Sequence, residues 1–421
     1  MTRHKPLAAL TLALAFQAQP ALAGDHWLTS WYAAPQPAWD GSFTLPMNVP
    51  ARLDDATLRE TVRLSAGGQR IRLVFSNRYG REPVKLGAVR VGPADDARGG
   101  RTLTFSGQPG VAILPGATVT SDPVALPVRP LSRLAVTTWL PAPTPIASFH
   151  WGAQQTVQVT MGNDTARFGG RLFLNAVMVD AAAPGRTVVA LGDSITDGNG
   201  STPDADRRWP DVLAERLAKH GIAVANAGIS GGRLARDGMG QSAVARFGRD
   251  VLGQPGVSDV IVLLGINDIG WPGSPFAPGE RAATLDELTA AYKQLVAAAH
   301  VRGVRVTAGT LPPFEGALAG TPYAGHYSPE KERLRQQLNQ WIRTAGAFDA
   351  VVDFDAVLRD PSNPRRLRAA YDSGDHLHPG DAGYRAMAEA IDIDRPSATA
   401  AGGPVTGQVR PAALPRRQLR P

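Results

Sequence analysis

The chain has 421 residues, no cysteine and a formal net charge of +7; at about 150 residues per domain, that length suggests two domains. Without cysteine there are no disulfides, thiol nucleophiles or cysteine-ligated zinc, so stability must come from cores large enough to need no staples. The charge sits at the ends, on Arg3 and Lys5 and on Arg395, Arg410, Arg416, Arg417 and Arg420, and residues 24–394 are neutral, which argues against a nucleic-acid partner.

Residues 1–23 place Arg3 and Lys5 before the apolar run LAALTLALAF and end on Ala21-Leu22-Ala23. That is the layout of a secretory signal peptide cleaved near Ala23, and the run is too short for stable membrane insertion. A secreted or periplasmic protein is expected. Residues 24–182 read as β structure. In QRIRLVFSN, Ile71, Leu73 and Phe75 alternate with Arg70, Arg72 and Val74, and further short strands follow between Gly, Pro, Asn and Asp, a pattern that predicts a jelly-roll-like β-sandwich. The aromatics Trp27, Trp31, Tyr32, Phe149, His150 and Trp151 suit either a sugar-stacking platform or, more often for such residues, the core.

The connector DAAAPGR, residues 180–186, marks the domain boundary. From 185 to 393 strand and helix patterns alternate: TVVAL, a helix from Pro210, IAVANA, VIVLL, a long helix from Thr284 to a stop at Gly303, VRVTAGT, SPEKERLRQQLNQWIRTAG, AVVDF and AGYRAMAEAI. Such alternation predicts an α/β domain, doubly wound, with a parallel sheet between helices. The Pro-, Gly- and Arg-rich tail 394–421 has too few large apolar side chains to order itself.

The chemistry gathers where strands end. Ser194 follows the run Thr187–Leu191 and Gly192, the place where an open α/β sheet puts its ligands. Three segments follow in order: NAGISGGRLARDG from Asn226, LLGINDIG from Leu263 and YDSGDHLHPGDAGY from Tyr371. Together with GDSITDG they resemble the four blocks of the SGNH (GDSL) hydrolase family. The resemblance covers roughly residues 185–393 and implies a flavodoxin-like three-layer α/β/α fold. It also implies a nucleophile at Ser194, a base at His378, an orienting acid at Asp375, and an oxyanion hole formed by Ser194, Gly231 and Asn267, with no metal and no cofactor.

Each assignment has a chemical reason. A serine hydroxyl needs a base within hydrogen-bond reach, and the base needs a group that fixes its tautomer; a carboxylate three residues before the imidazole in one loop can supply that. An oxyanion needs fixed donors, and a glycine lets backbone come close. Rivals exist. His376 with Asp372 could replace His378 with Asp375, though Pro379 after the histidine selects His378. Gly228-x-Ser230-x-Gly232 matches a nucleophile elbow, but GRLARDGMG is too glycine-broken for the helix that should follow. Asp375, His376, His378 and Asp381 lack a matching metal-spacing motif elsewhere.

The function expected is a secreted serine esterase acting on short-chain carboxylic esters, either carbohydrate O-acetyl or aryl esters, with an acetylated polysaccharide as a candidate partner. The alternatives are a lipase or lysophospholipase, and a carbohydrate-binding surface protein with a vestigial hydrolase domain. The loops IGWPGSPFAPGE and LPPFEGALAGTPYAGHY carry Trp271, Phe276, Phe314, Tyr323 and Tyr327, of which Trp271 and Phe314 are expected to line the substrate pocket. Pro, Gly and Ala between the rings predict a short, open acyl site.

Overall fold

The computed structural model describes residues 26–96, 100–181 and 185–392; the expected signal segment, part of the connector and the basic tail lie outside them. Up to Asp180 the described chain is antiparallel β structure. One five-stranded sheet runs in the order Trp27–Tyr32, Leu174–Asp180, Gly68–Ser76, Thr118–Thr120, with Val124–Val128 also paired to Gly68–Ser76. A seven-stranded sheet runs Asp164–Leu172, Ser148–Met161, Ala56–Arg63, Arg133–Leu140, Val89–Pro93, Arg101–Thr102, with Gln36–Pro37 beside Ser148–Met161. Side chains of Ala56–Arg63 alternate between buried and half-buried, so each strand gives one face to the core and one to water. Leu58, Val62, Val136 and Val159 of the larger sheet meet Ile71, Leu73, Phe75 and Val177 of the smaller one in a single core, the expected sandwich.

The parallel sheet that follows has the order Ile222–Gly228, Arg186–Gly192, Val257–Leu263, Arg305–Gly309, Ala350–Val352. Numbered along the chain this is 2-1-3-4-5, the flavodoxin-like order, whose switch point lies beside the first strand. Strands Arg186–Gly192, Ile222–Gly228 and Val257–Leu263 are buried almost throughout, as a sheet covered by helices on both faces requires. Helices Trp209–Leu217, Leu285–Val301, Pro329–Thr344 and Asp381–Glu389 supply the cover. The second of these opens on a capping box between Thr284 and Glu287 and stops where Gly303 takes φ +67°. Among the described residues no helix is long and apolar enough to cross a membrane.

A helical stretch absent from the sequence reading lies between the second and third parallel strands. Ala243–Phe247 starts on the Ser242 N-cap and widens into a π turn over Gly248–Leu252; the glycines at 238, 240 and 248 conceal it. Its buried Arg246 donates to the carbonyls of Gly192 (2.9 Å) and Ala227 (2.7 Å) and to Asp250 (3.0 Å). One guanidinium thus ties together the ends of the first two parallel strands.

The sandwich packs directly on this layer. Strand Trp27–Tyr32 lies along Ile222–Gly228, Ser65 Oγ accepts from the Val224 amide at 2.9 Å, and the Tyr32 hydroxyl donates to Asp250 at 2.7 Å. Trp31, Tyr32, Phe149 and His150 are buried at this contact or in the sandwich, so they form no surface platform. Replacing Arg246 by Met leaves Asp250 buried with one cation fewer and two strand-end carbonyls without their donor. The expected cost is about 3 kcal/mol, read as a lowered denaturation midpoint at unchanged slope.

Candidate active site

Ser194 is the first residue of a one-turn helix, Ser194–Asp197, that begins immediately after strand Arg186–Gly192. The turn arises because Asp193 caps it, its Oδ1 accepting from the Ile195 amide at 3.0 Å, and because Gly198 closes it in the left-handed region at φ +106°. Gly228, at the end of the next strand, has no room for a Cβ against the Asp197 backbone. The Ser194 turn is therefore seated on a glycine.

The loop 371–380 reaches back over this turn. It is closed by Ser373 and Gly380, whose amides donate to the carbonyls of His378 (3.0 Å) and Tyr371 (2.7 Å). Asp375 Oδ1 accepts from the amides of Leu377 and His378 at 2.9 and 2.8 Å, and Oδ2 lies 2.6 Å from His378 Nδ1. On the other side His378 Nε2 is 2.7 Å from Ser194 Oγ. Burial works to raise the Asp375 carboxyl, but the hydrogen bond and charge of His378, with the two amides, hold it well below the usual carboxylate range. Asp375 thus stays charged beside the imidazole, which fixes Nδ1–H and leaves Nε2 to the serine.

The other sequence candidates separate cleanly. His376 pairs with Asp372 at 2.5 Å on the surface, with its side chain about half exposed. Asp381 accepts from Thr202 and Arg207, so the four acidic and imidazole groups of this loop do not converge. Ser230 Oγ donates to Asp197 Oδ2 at 2.7 Å; the imidazole on that carboxylate, His150, bonds Oδ1 and the Ala34 carbonyl. Ser230 has a carboxylate, not an imidazole, as its partner.

The donors converge on one cavity. Ser194, Gly231 and Asn267 all line a pocket of about 180 Å³. Among the described residues neither the Ser194 nor the Gly231 amide has an intramolecular acceptor. Gly231 sits at φ +69°, and a Cβ there would strike Met239 and Trp271, so only glycine presents this amide. Asn267 lies within the short helix Ile266–Gly270, not free at a strand end. Its Nδ2 donates one hydrogen to the Gly232 carbonyl at 3.0 Å, which orients the amide and leaves its second hydrogen unused.

Of the two expected lining aromatics, Trp271 is at the pocket and Phe314 is not. Phe314 is fully buried, edge-on to Tyr327 (5.1 Å) and His326 (6.2 Å). Residues 310–314 are buried throughout, and a ring in such a run gains more from the core than from a pocket wall. Trp271 is itself covered, with Phe276 stacked on it at 5.1 Å and the Arg233 guanidinium over its ring at 5.0 Å. The lining is also more apolar than the loop composition implied: Leu45 and Trp151 come from the sandwich, and Met239, Leu318 and Leu377 from other loops.

His326 is a further lining residue without a sequence signal. It is buried, both ring nitrogens lack a hydrogen-bond partner among the described residues, and burial, reinforced by Lys331, pushes its pKa down to about 3. A neutral imidazole with a free donor and a free acceptor therefore faces the cavity. Only its neighbours in space identify it.

Residues 188–391 match the family model for GDSL-like lipases and acylhydrolases. No protein of curated function matches the chain. Among solved structures it is similar to a GDSL-like lipase from Bacteroides thetaiotaomicron, at 20% identity over 48% of this chain and 84% of that one with a TM-score of 0.36. A variant of a Geobacillus acetyl-xylooligosaccharide esterase matches at 24% identity over 49% and 91% with a TM-score of 0.34. An α/β hydrolase from the metagenome of Lake Arreo matches at 21% over 49% and 92% with a TM-score of 0.36.

Asp193 gives this site a pH signature. Its carboxyl is fully buried, Oδ2 has no hydrogen-bond partner among the described residues, and burial raises its pKa to about 7 against the opposing Ile195 amide and His378 charge. The folded protein keeps a proton that the unfolded chain releases in the ordinary carboxylate range, so this group makes unfolding easier as pH rises from about 4 toward about 7. Asp193→Asn retains the oxygen that caps the Ser194 turn and removes the titration. Its melting temperature is expected to gain on wild type steadily between about pH 5 and 7; parallel pH profiles for the two proteins would refute the assignment.

Proposed function

We propose, on the premise that the chain belongs through residues 188–391 to the GDSL-like lipase/acylhydrolase family, that Ser194, His378 and Asp375 hydrolyse a short-chain carboxylic ester. By its family the protein is a serine hydrolase acting on ester bonds. The observation that carries the assignment of residues is the unbroken chain Asp375–His378–Ser194, with links of 2.6 and 2.7 Å, at the wall of a cavity that also holds the oxyanion donors.

In this reading Ser194 Oγ attacks the acyl carbon as its proton passes to His378 Nε2. The charge on the carbonyl oxygen is taken up by the amides of Ser194 and Gly231 and the free hydrogen of Asn267 Nδ2. Asp375 holds Nδ1–H and stabilises the imidazolium. Collapse of the tetrahedral species breaks the ester C–O bond, the leaving alkoxide takes the proton from Nε2, and a water repeats the sequence on the acyl-serine.

The substrate size follows from the cavity. About 180 Å³ lies below the range of about 300–1,000 Å³ usual for drug-sized ligands, which suits an acetyl or similarly short acyl group with part of an alcohol. Half-buried Trp151, Phe276 and Tyr323 at the rim, rather than Trp271, are the rings placed to meet a sugar or aryl alcohol. The apolar lining from Leu45, Met239, Leu318 and Leu377 favours one second reading, an acylhydrolase for longer chains. Export to the periplasm or medium is part of the proposal, supported by the layout of residues 1–23; N-terminal sequencing of exported protein should begin near Gly24.

Ser194→Ala and His378→Ala are each expected to lower kcat by about 10³ or more with folding intact, and Asn267→Ala by about 10² to 10³ with little change in KM. Ser230→Ala should stay within about tenfold of wild type, since Asp197 keeps His150. Across p-nitrophenyl esters, kcat/KM should peak at acetyl; a steady rise to decanoyl would establish the longer-chain reading instead.

A further inference from the structure

The outer face of the seven-stranded sheet carries a feature that the esterase reading does not use. In the registers Arg90↔Thr137, Thr137↔Arg59, Arg59↔Gln158 and Gln158↔Arg167, five residues form one row across strands Val89–Pro93, Arg133–Leu140, Ala56–Arg63, Ser148–Met161 and Asp164–Leu172. Directly opposed residues share a face, so the row reads Arg-Thr-Arg-Gln-Arg, a guanidinium on every second strand. All five are half-buried or exposed. Among the described residues Arg59 and Arg90 are bonded only to the carbonyls of Ala94 and Gly100, and none of the three arginines is paired with a carboxylate. The neighbouring Arg63 and Arg133 are already neutralised by Glu215 and Asp206.

One aromatic adjoins the row. Trp139, two residues along its strand from Thr137, is 43% exposed. It lies against Gly87, where a Cβ would strike the ring, and Asp55 accepts from its Nε1 at 2.8 Å. The ring is thus pinned on the sheet with a side open to solvent.

We infer that this face binds an extended polysaccharide bearing carboxylates. Guanidinium forks suit carboxylates in pairs of hydrogen bonds, the Thr137 hydroxyl and Gln158 amide between them suit sugar hydroxyls, and a pinned indole suits a sugar face. Spacing selects this partner over nucleic acid. Alternate strands stand about 9.5 Å apart, nearly three times the 3.4 Å rise per phosphate along one DNA strand, so the row matches a polymer with sparse charge. The surface also leads toward the catalytic cavity. Strand Ser148–Met161 carries Trp151 at the pocket and Gln158 in the row, and between them Gln154 bonds Asn199, itself a pocket residue, at 3.2 Å. The binding claim stands apart from the assignment of the active site; only delivery of an ester on such a polymer to Ser194 depends on it.

The test uses the full chain with Ser194→Ala, so that no bound polymer is altered, in affinity electrophoresis through gels containing polygalacturonate, neutral xylan or double-stranded DNA. Strong retardation by polygalacturonate, weak retardation by xylan, and a loss of about tenfold or more in apparent affinity in the triple variant Arg59→Gln, Arg90→Gln, Arg167→Gln are expected, with Trp139→Ala losing several-fold. The same triple variant on the wild-type background should hydrolyse p-nitrophenyl acetate unchanged, which reports folding. Should it fail that check, Arg167→Gln alone, on an exposed edge strand, takes its place and is expected to weaken binding about threefold. Equal retardation of the parent and the arginine variants would overturn the proposal by assigning binding to the basic tail, and retardation by DNA as strong as by polygalacturonate would overturn it by showing a general attraction to polyanions.

Discussion

The 2.7 Å contact between His378 Nε2 and Ser194 Oγ joins residues 184 apart in sequence, and most of the structure around it exists to hold that distance. A hydrogen bond of this kind weakens steeply with small displacements, so both partners need fixed backbones. Ser194 is fixed by its position two residues past a buried parallel strand, by the Asp193 cap, and by the close seat on Gly228. His378 is fixed by a loop closed on itself and by Asp375. The two are brought together because the first and last strands of the sheet end at the same edge, and Arg246 keeps the first strand end from moving relative to the second.

Two carboxylates near this contact have opposite electrostatic characters for reasons visible in their surroundings. Asp375 accepts two amides and an imidazole and is held low; Asp193 is equally acidic by composition but is sealed off with one oxygen unpartnered and is raised to about 7. Desolvation acts on both, and the number of hydrogen bonds to the charged form decides the sign. One group serves as a charge beside the base and the other serves as a cap, a division of roles set by environment and not by residue type.

The sandwich is a structural part of the cavity beside Ser194. His150 reaches across to Asp197 at 2.9 Å, Gln36 donates to the Met239 carbonyl at 3.2 Å, and Leu45 and Trp151 complete the wall. A cavity of about 180 Å³ is thus bounded by two layers of different origin, while the outer sheet offers a separate surface of regular spacing.

The sequence alone determined the strand and helix alternation, an antiparallel β part followed by a parallel α/β part, and the motif residues Ser194, Asp375, His378, Gly231 and Asn267, of which Asp375, His378 and Ser194 form one hydrogen-bonded chain and Ser194, His378, Gly231 and Asn267 line one cavity. These are legible because period-two and period-3.6 patterns are local and because each of the motifs packs its chemistry into a few consecutive residues. It did not show the helical stretch 243–252, whose glycines hide it, nor that Asn267 stands inside a short helix. It misplaced Phe314, which the core claims, offered Trp151 for a sugar platform or the core without placing it at the pocket, and overlooked His326, Leu45 and Met239. Only the tertiary structure could decide these, since whether a ring or an imidazole faces a cavity, a neighbour or the core depends on the packing of segments far apart in the chain, and burial, not residue type, then sets what the group can do.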